Sequence, residues 1–83
     1  EKEIQKTMEE LYDILNGFEP GVDFTTATDL IDGRILNSLE ILSLVAELED
    51  TFDITIPTIE IIPANFNSAQ AMWQMICRLQ EEA

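Results

Sequence analysis

The chain has 83 residues, with 17 acidic side chains against four basic ones and no histidine, a formal net charge of −13. That balance argues against nucleic acid and against direct insertion at an anionic membrane, which both call for Lys and Arg, and favours partners with basic surfaces. At 46% apolar residues the chain can build a core, but only one domain, 1–83, of modest stability, because a chain this short buries little over ~60% of its unfolded surface. Cys77 is the only cysteine, so no internal disulfide forms. No apolar run approaches about 18 residues and no signal peptide is visible, so a cytoplasmic protein is expected. Residue 1 is Glu rather than Met, so the native N-terminus is expected further upstream.

In chain order, Ile4, Met8, Leu11 and Leu15 repeat at helical spacing, with Tyr12 and Ile14 widening the stripe, and predict a first helix over 1–16. Asn16-Gly17 is its expected stop. Residues 17–36 then form a connection of about 20 residues, long for a compact domain and in need of anchoring by its own apolar side chains. Phe18, Val22, Phe24, Leu30, Ile31, Ile35 and Leu36 are available for this, Pro20-Gly21 and Asp32-Gly33 mark turns, and one helical turn fits within Thr25 to Asp29.

Leu36-Asn37-Ser38-Leu39-Glu40-Ile41 carries two helix-start signals in one register. Asn37 and Glu40 have capping-box spacing, and Leu36 and Ile41 have the spacing of a hydrophobic staple. A second helix over 38–50 follows, with Ile41, Leu44, Val45, Leu48 and Phe52 inward and Glu40, Glu47, Glu49 and Asp50 outward. Phe52 to Pro57 alternates apolar with polar and reads as an extended segment without a partner strand. Pro57 suits the start of a short helix over 58–62, which Pro63 would end. Ala64-Asn65-Phe66 reads as a link. Asn67 and Gln70 repeat the capping-box spacing before a last helix built on Ala69, Met72, Trp73, Ile76 and Leu79. The sum is an all-α fold, a small four-helix bundle of three long helices and one short.

The same register puts Ser38 on the first turn of helix two, among backbone N–H groups that tolerate a phosphate. Without histidine, Ser38 belongs to no Ser-His triad; no catalytic pair is visible, and the chain is not expected to be an enzyme. Ser43, inside the helix, has no such advantage and reads as structural. Glu40, Glu47, Glu49 and Asp50 offer an acidic docking face, and Leu39, Leu42 and Ala46 an apolar centre to it. No stretch has the spacing of a calcium loop, and with no histidine and one cysteine a zinc site is not expected. Cys77, Trp73 and the methionines read as core residues.

Ser38-Leu39-Glu40-Ile41-Leu42, the acidic Ala46-Glu47-Leu48-Glu49-Asp50, and Phe52-Asp53-Ile54-Thr55-Ile56-Pro57 together resemble the acyl carrier proteins over nearly the whole chain. That family reads Asp-Ser-Leu, then an apolar and acidic helix, then Phe-x-Ile-x-Ile-Pro; here Asn37 stands in place of the aspartate, and it caps a helix about as well. The resemblance implies a four-helix bundle with a long first loop. It also implies 4′-phosphopantetheine, taken from coenzyme A, on Ser38 between Asn37 and Leu39, with acyl or aminoacyl cargo held as a thioester. The partners implied are a phosphopantetheinyl transferase, a loading ligase, and a downstream acyltransferase or synthase, and the carrier would act as a monomer. Gly33-Arg34-Ile35-Leu36-Asn37-Ser38 is similar to the approach to the serine in D-alanyl carriers and related stand-alone carriers. A D-alanyl or peptidyl carrier of a specialised pathway, and an unmodified acidic interaction module, stand as alternatives.

Overall fold

The computed structural model describes residues 8–82. Within them lie four helices: α1 (Met8–Phe18), α2 (Ser38–Phe52), α3 (Pro63–Phe66) and α4 (Ala69–Glu82), with a 3-10 turn at Thr58–Glu60 between α2 and α3. No strand occurs among the described residues. The expected stripe position Ile4 and the acidic Glu1 and Glu3 fall outside them.

In α1, Leu11 and Leu15 are fully buried and Met8, Tyr12, Ile14 and Phe18 are packed at the edge of the core. The helix runs through Asn16-Gly17, past its expected stop, and Glu19 N–H still donates to the Leu15 carbonyl at 3.0 Å. Gly and Asn tolerate a left-handed cap but do not impose one. What ends α1 is Pro20, which disfavours helical backbone at the residue before it. Val22 N–H then closes on the Glu19 carbonyl at 3.3 Å, with Gly21 at φ 137° inside the turn.

The connection from Glu19 to Asn37 is anchored as its composition requires: Phe24, Leu30 and Leu36 are buried in the core. The Asp23 side chain accepts the Thr25 N–H at 3.1 Å, and the Asp23 carbonyl accepts Ala27 N–H, closing one turn inside the polar stretch. A second turn delivers the chain to α2. Gly33 N–H meets the Asp29 carbonyl, and Ile35 and Leu36 N–H both donate to the Leu30 carbonyl at 3.0 Å. The left-handed residue here is Arg34, at φ 61°, rather than the glycine. Gly33 is needed for a different reason: a Cβ on it would stand 2.7 Å from the Asp29 carbonyl oxygen.

α2 extends two residues beyond its expected end because Phe52 is buried and Asp53 caps it in the left-handed region, at φ 57° and ψ 51°. Leu44 and Leu48 complete its buried stripe, with Ile41 and Val45 half-buried. Phe52 meets Trp73 of α4 edge to face, ring centroids 5.7 Å apart. Ile54 and Ile56 are buried while Asp53, Thr55 and Pro57 are exposed, as the alternation requires. The Ile56 N–H has a helix side chain for its acceptor, Glu49 Oε2 at 2.8 Å, which lets one extended segment stand without a sheet.

Two expectations near the C-terminus are corrected. The predicted helix over 58–62 is a single 3-10 turn, and the short helix begins at Pro63 instead of ending there, so Ala64-Asn65-Phe66 is helical. The reason lies in proline itself: Ile62 is held extended at φ −131° and ψ 156° before the ring, and Pro63 has the φ of a first helical position. The cap of α4 is also one residue later than predicted. Ser68 Oγ accepts Ala71 N–H at 3.0 Å, while Asn67 and Gln70 both turn to the long connection. Asn67 Oδ1 accepts the N–H groups of Ile31 at 2.9 Å and Asp32 at 3.0 Å, and Gln70 Nε2 donates to the Thr25 carbonyl. α4 buries Ala69, Met72, Met75, Ile76 and Leu79 and packs with α1 and α3; Cys77 is half-buried and free.

The two special positions in the turn before α2 have opposite expected effects. Gly33→Ala should lower unfolding stability by about 1–3 kcal/mol through overpacking against Asp29, whereas Arg34→Gly should raise it by up to about 1 kcal/mol by relieving the left-handed backbone. Urea midpoints of the two variants against wild type check both signs.

Candidate functional site

Asn37 precedes α2 with extended backbone, φ −91° and ψ 176°. Both halves of the capping box form: Asn37 Oδ1 accepts Glu40 N–H at 2.8 Å, and Glu40 Oε1 accepts Asn37 N–H at 3.0 Å. These bonds engage two of the donors at the helix start. The N–H groups of Ser38 and Leu39 remain free of an intrahelical acceptor and lie at the positive end of the α2 dipole. Ser38 itself is exposed, the first residue of the helix.

Beside Ser38 opens an apolar cleft of about 340 Å³. Ile31 and Leu36 of the connection and Ile41 and Leu42 of α2 form one side. Ile61, Ile62, Pro63 and Phe66 form the other, with Asn37 and Ser38 on the lining. Leu39 and Leu42 are 76% and 61% exposed; Ile62, on the opposite side of the cleft, is 45% exposed, and Ile59 in the 3-10 turn is 81% exposed. The isoleucine wall was not singled out from the sequence. Its signal was there: Ile59, Ile61 and Ile62 crowd a segment too short to bury all three.

The four acidic residues of α2 do not form one uniform face. Glu47, Asp50 and the neighbouring Ala46 are exposed, whereas Glu40 is half-buried in the capping box and Glu49 is half-buried against the Ile56 N–H. Ser43 is exposed midway along the helix and away from its start. The Glu40 carboxylate also lies close to Glu19 and holds the Glu19 carboxyl above its usual range, by hydrogen bonding and then by like charge. In the 3-10 turn, Glu60 is gripped by both terminal nitrogens of Arg78, each at 2.9 Å, and by Asn65 Nδ2 at 2.9 Å. This clamp fixes the 3-10 turn to α4 and holds the Glu60 carboxyl below its usual range, first through the Arg78 hydrogen bonds.

Among the described residues no group of three or more His, Cys, Asp or Glu could hold a metal ion. No helix among them is long and apolar enough to cross a membrane.

A helical bundle with a long first connection and an exposed serine opening its second helix defines a class, the small carrier domain. No protein-family model matches the chain. It is 35% identical over 77 residues to the D-alanyl carrier protein of Streptococcus pyogenes serotype M5 (strain Manfredo), a match covering 93% of this chain and 95% of that protein. The D-alanyl carrier proteins of serotype M49 (strain NZ131) and serotype M1 match to the same extent. The chain belongs to the acyl carrier protein family. Proteins of that family are carriers that use a phosphopantetheine group in general and work with ligases and transferases, which supply the catalysis.

Glu60 and Glu19 predict opposite pH slopes. Glu60, with its folded pKa depressed, stabilises above its unfolded pKa, and that contribution is lost as pH falls through the folded value. The stability difference between wild type and Arg78→Gln should therefore be present at neutral pH and close on acidification. Glu19, with its folded pKa raised, is favourable below its unfolded pKa, and this is lost as pH rises through the folded value. Glu19→Gln should be more stable than wild type at neutral pH, with the gain gone below about pH 4. Thermal midpoints across pH check both.

Proposed function

We propose that this chain is a stand-alone carrier that bears 4′-phosphopantetheine on Ser38 and presents an acyl or aminoacyl group to partner enzymes. One observation carries the reading. Ser38 is an exposed hydroxyl at the first position of a capped helix, at the mouth of an apolar cleft. The residues present fit the group: the Ser38 Oγ would offer the point of attachment, and the free N–H groups of Ser38 and Leu39 at the helix start would favour its phosphate. The Glu40 carboxylate in the same helical turn opposes an anion; the covalent bond, rather than affinity, therefore has to keep it there. When bound, the group supplies a terminal thiol on which cargo is held as a thioester. The chain's own residues hold the hydroxyl outward, keep the helix start rigid through Asn37 and Glu40, and leave the reactive chemistry to the partner.

The similarity to D-alanyl carrier proteins supports D-alanine as the cargo. The cleft favours a second reading, because its lining of Ile, Leu, Phe and Pro suits a plain acyl chain better than an aminoacyl group with a charged ammonium. Docking would fall to exposed Leu39, Leu42 and Ala46 with Glu47 and Asp50 at the rim, facing a transferase, a loading ligase or an acyltransferase with basic surfaces. Glu40 and Glu49 contribute to the local field while being held by backbone N–H groups of this chain. A cytoplasmic monomer suits such traffic.

Incubation with coenzyme A and a broad-specificity phosphopantetheinyl transferase should add the mass of one phosphopantetheine to the intact protein. The gain should vanish in Ser38→Ala and persist in Ser43→Ala. A wild-type chain that gains no mass, or a gain that survives Ser38→Ala, overturns the assignment.

Charge steering gives a separate expectation. Glu47→Lys together with Asp50→Lys should slow modification roughly tenfold at low salt, with the deficit shrinking as ionic strength rises and the screening length falls from ~30 Å at about 0.01 M to ~10 Å at about 0.1 M. A deficit that does not change with salt would count against an electrostatic encounter.

A further inference from the structure

The two walls of the cleft come from segments far apart in sequence, and one residue joins them. Asn67 follows Phe66 directly, and its own N–H donates to the Pro63 carbonyl at 2.9 Å, so it belongs to the α3 wall. Its other polar groups reach to the other side. The backbone carbonyl accepts Leu30 N–H at 2.9 Å, Oδ1 accepts Ile31 and Asp32 N–H, and Nδ2 donates to Asp32 Oδ2 at 3.0 Å. Ile31 lines the cleft, and the Leu30 carbonyl accepts the N–H of Leu36, the residue before the cap of α2. A short path therefore runs from the Asn67 backbone carbonyl through Leu30 and Leu36 to Asn37 and Ser38, and the Asn67 side chain braces the adjoining Ile31 and Asp32.

From this geometry we infer that Asn67 is the positioning residue of the Ser38 site: it clasps the connection to α3, sets the separation of the cleft walls, and orients the segment that delivers Ser38 to a partner. The inference rests on the reading of Ser38 as the attachment point. Its chemistry is specific. The position needs an acceptor for two backbone N–H groups and a donor for a carboxylate on one short side chain, which asparagine supplies. Alanine supplies neither, and aspartate keeps the acceptor but sets a second carboxylate against Asp32. The α4 cap does not depend on this side chain, since Ser68 provides it.

The test compares Asn67→Ala, Asn67→Asp, the paired Asn67→Asp/Asp32→Asn, and Ser68→Ala as a control that weakens α4 without touching the connection. Amide exchange at Ile31 and Asp32 should speed up at least tenfold in Asn67→Ala and stay near wild type in Ser68→Ala. Transferase loading from coenzyme A should fall roughly tenfold in kcat/KM for Asn67→Ala and Asn67→Asp, beyond any fall in Ser68→Ala. The paired variant, which restores a donor facing a carboxylate at unchanged net charge, should recover both readouts. The inference is overturned by Ile31 and Asp32 amides that stay protected in Asn67→Ala, by loading losses that only match Ser68→Ala, or by a paired variant without recovery. A wild-type chain that accepts no phosphopantetheine instead defeats the Ser38 reading and the positioning role with it, while the exchange data still decide whether the clasp holds the connection.

Discussion

The backbone between Phe18 and Ser38 has to be held in one shape without help from regular structure. Ordering it costs on the order of 1–2 kcal/mol per residue in backbone entropy, and every N–H or carbonyl it buries needs a partner. The buried side chains Phe24, Leu30 and Leu36 supply the apolar part of the answer. The polar part comes from turns within the connection itself and from the junction of α3 and α4, where Asn67 and Gln70 satisfy backbone groups of Leu30, Ile31, Asp32 and Thr25. Because Leu36 and Asn37 end this connection, its order is what turns a capped helix into a serine held at a defined place beside a cleft.

Acidic side chains do several different jobs in this fold, and net charge alone does not separate them. Glu40 closes the capping box, Glu49 supplies the acceptor for an extended segment that has no sheet, and Glu60 ties the isoleucine wall to α4 through Arg78. Glu47 and Asp50 are exposed and available to a partner. With so few cations in the chain, like-charge crowding remains, and it is visible where Glu40 raises the Glu19 carboxyl. For Glu40 and Glu49, both half-buried, the cost of burial is offset by charge-assisted hydrogen bonds to backbone N–H groups; Glu47 and Asp50 stay in water.

Legibility followed locality. The start of α2 could be read because cap, box and staple lie within six consecutive residues, and both cap bonds are present. The alternation of Ile54 and Ile56 likewise matched burial on one side of an extended segment. Errors fell where a local signal had a competitor. Asn16-Gly17 permits a helix stop without requiring one, and the outcome rested on Pro20 and on packing of Phe18. Asn67 and Gln70 have the spacing of a capping box, but Asn67 satisfies two backbone N–H groups more than 30 residues away in sequence while Ser68 caps α4. The run from Pro57 to Pro63 contains two helix-compatible prolines, and spacing alone does not tell which of them opens the helix.

By itself, the order of residues determined an all-helical bundle, the register of α2, the exposure of Ser38 at its first turn, and a strongly negative chain. These follow from contacts between near neighbours and from net charge, which no fold can change. The cleft, the isoleucine wall across from Ser38, the withdrawal of Glu49 from the acidic face and the clasp at Asn67 were decided only by the tertiary structure. Each depends on which distant backbone group remains unsatisfied once the core has closed, and short-range spacing does not contain that information.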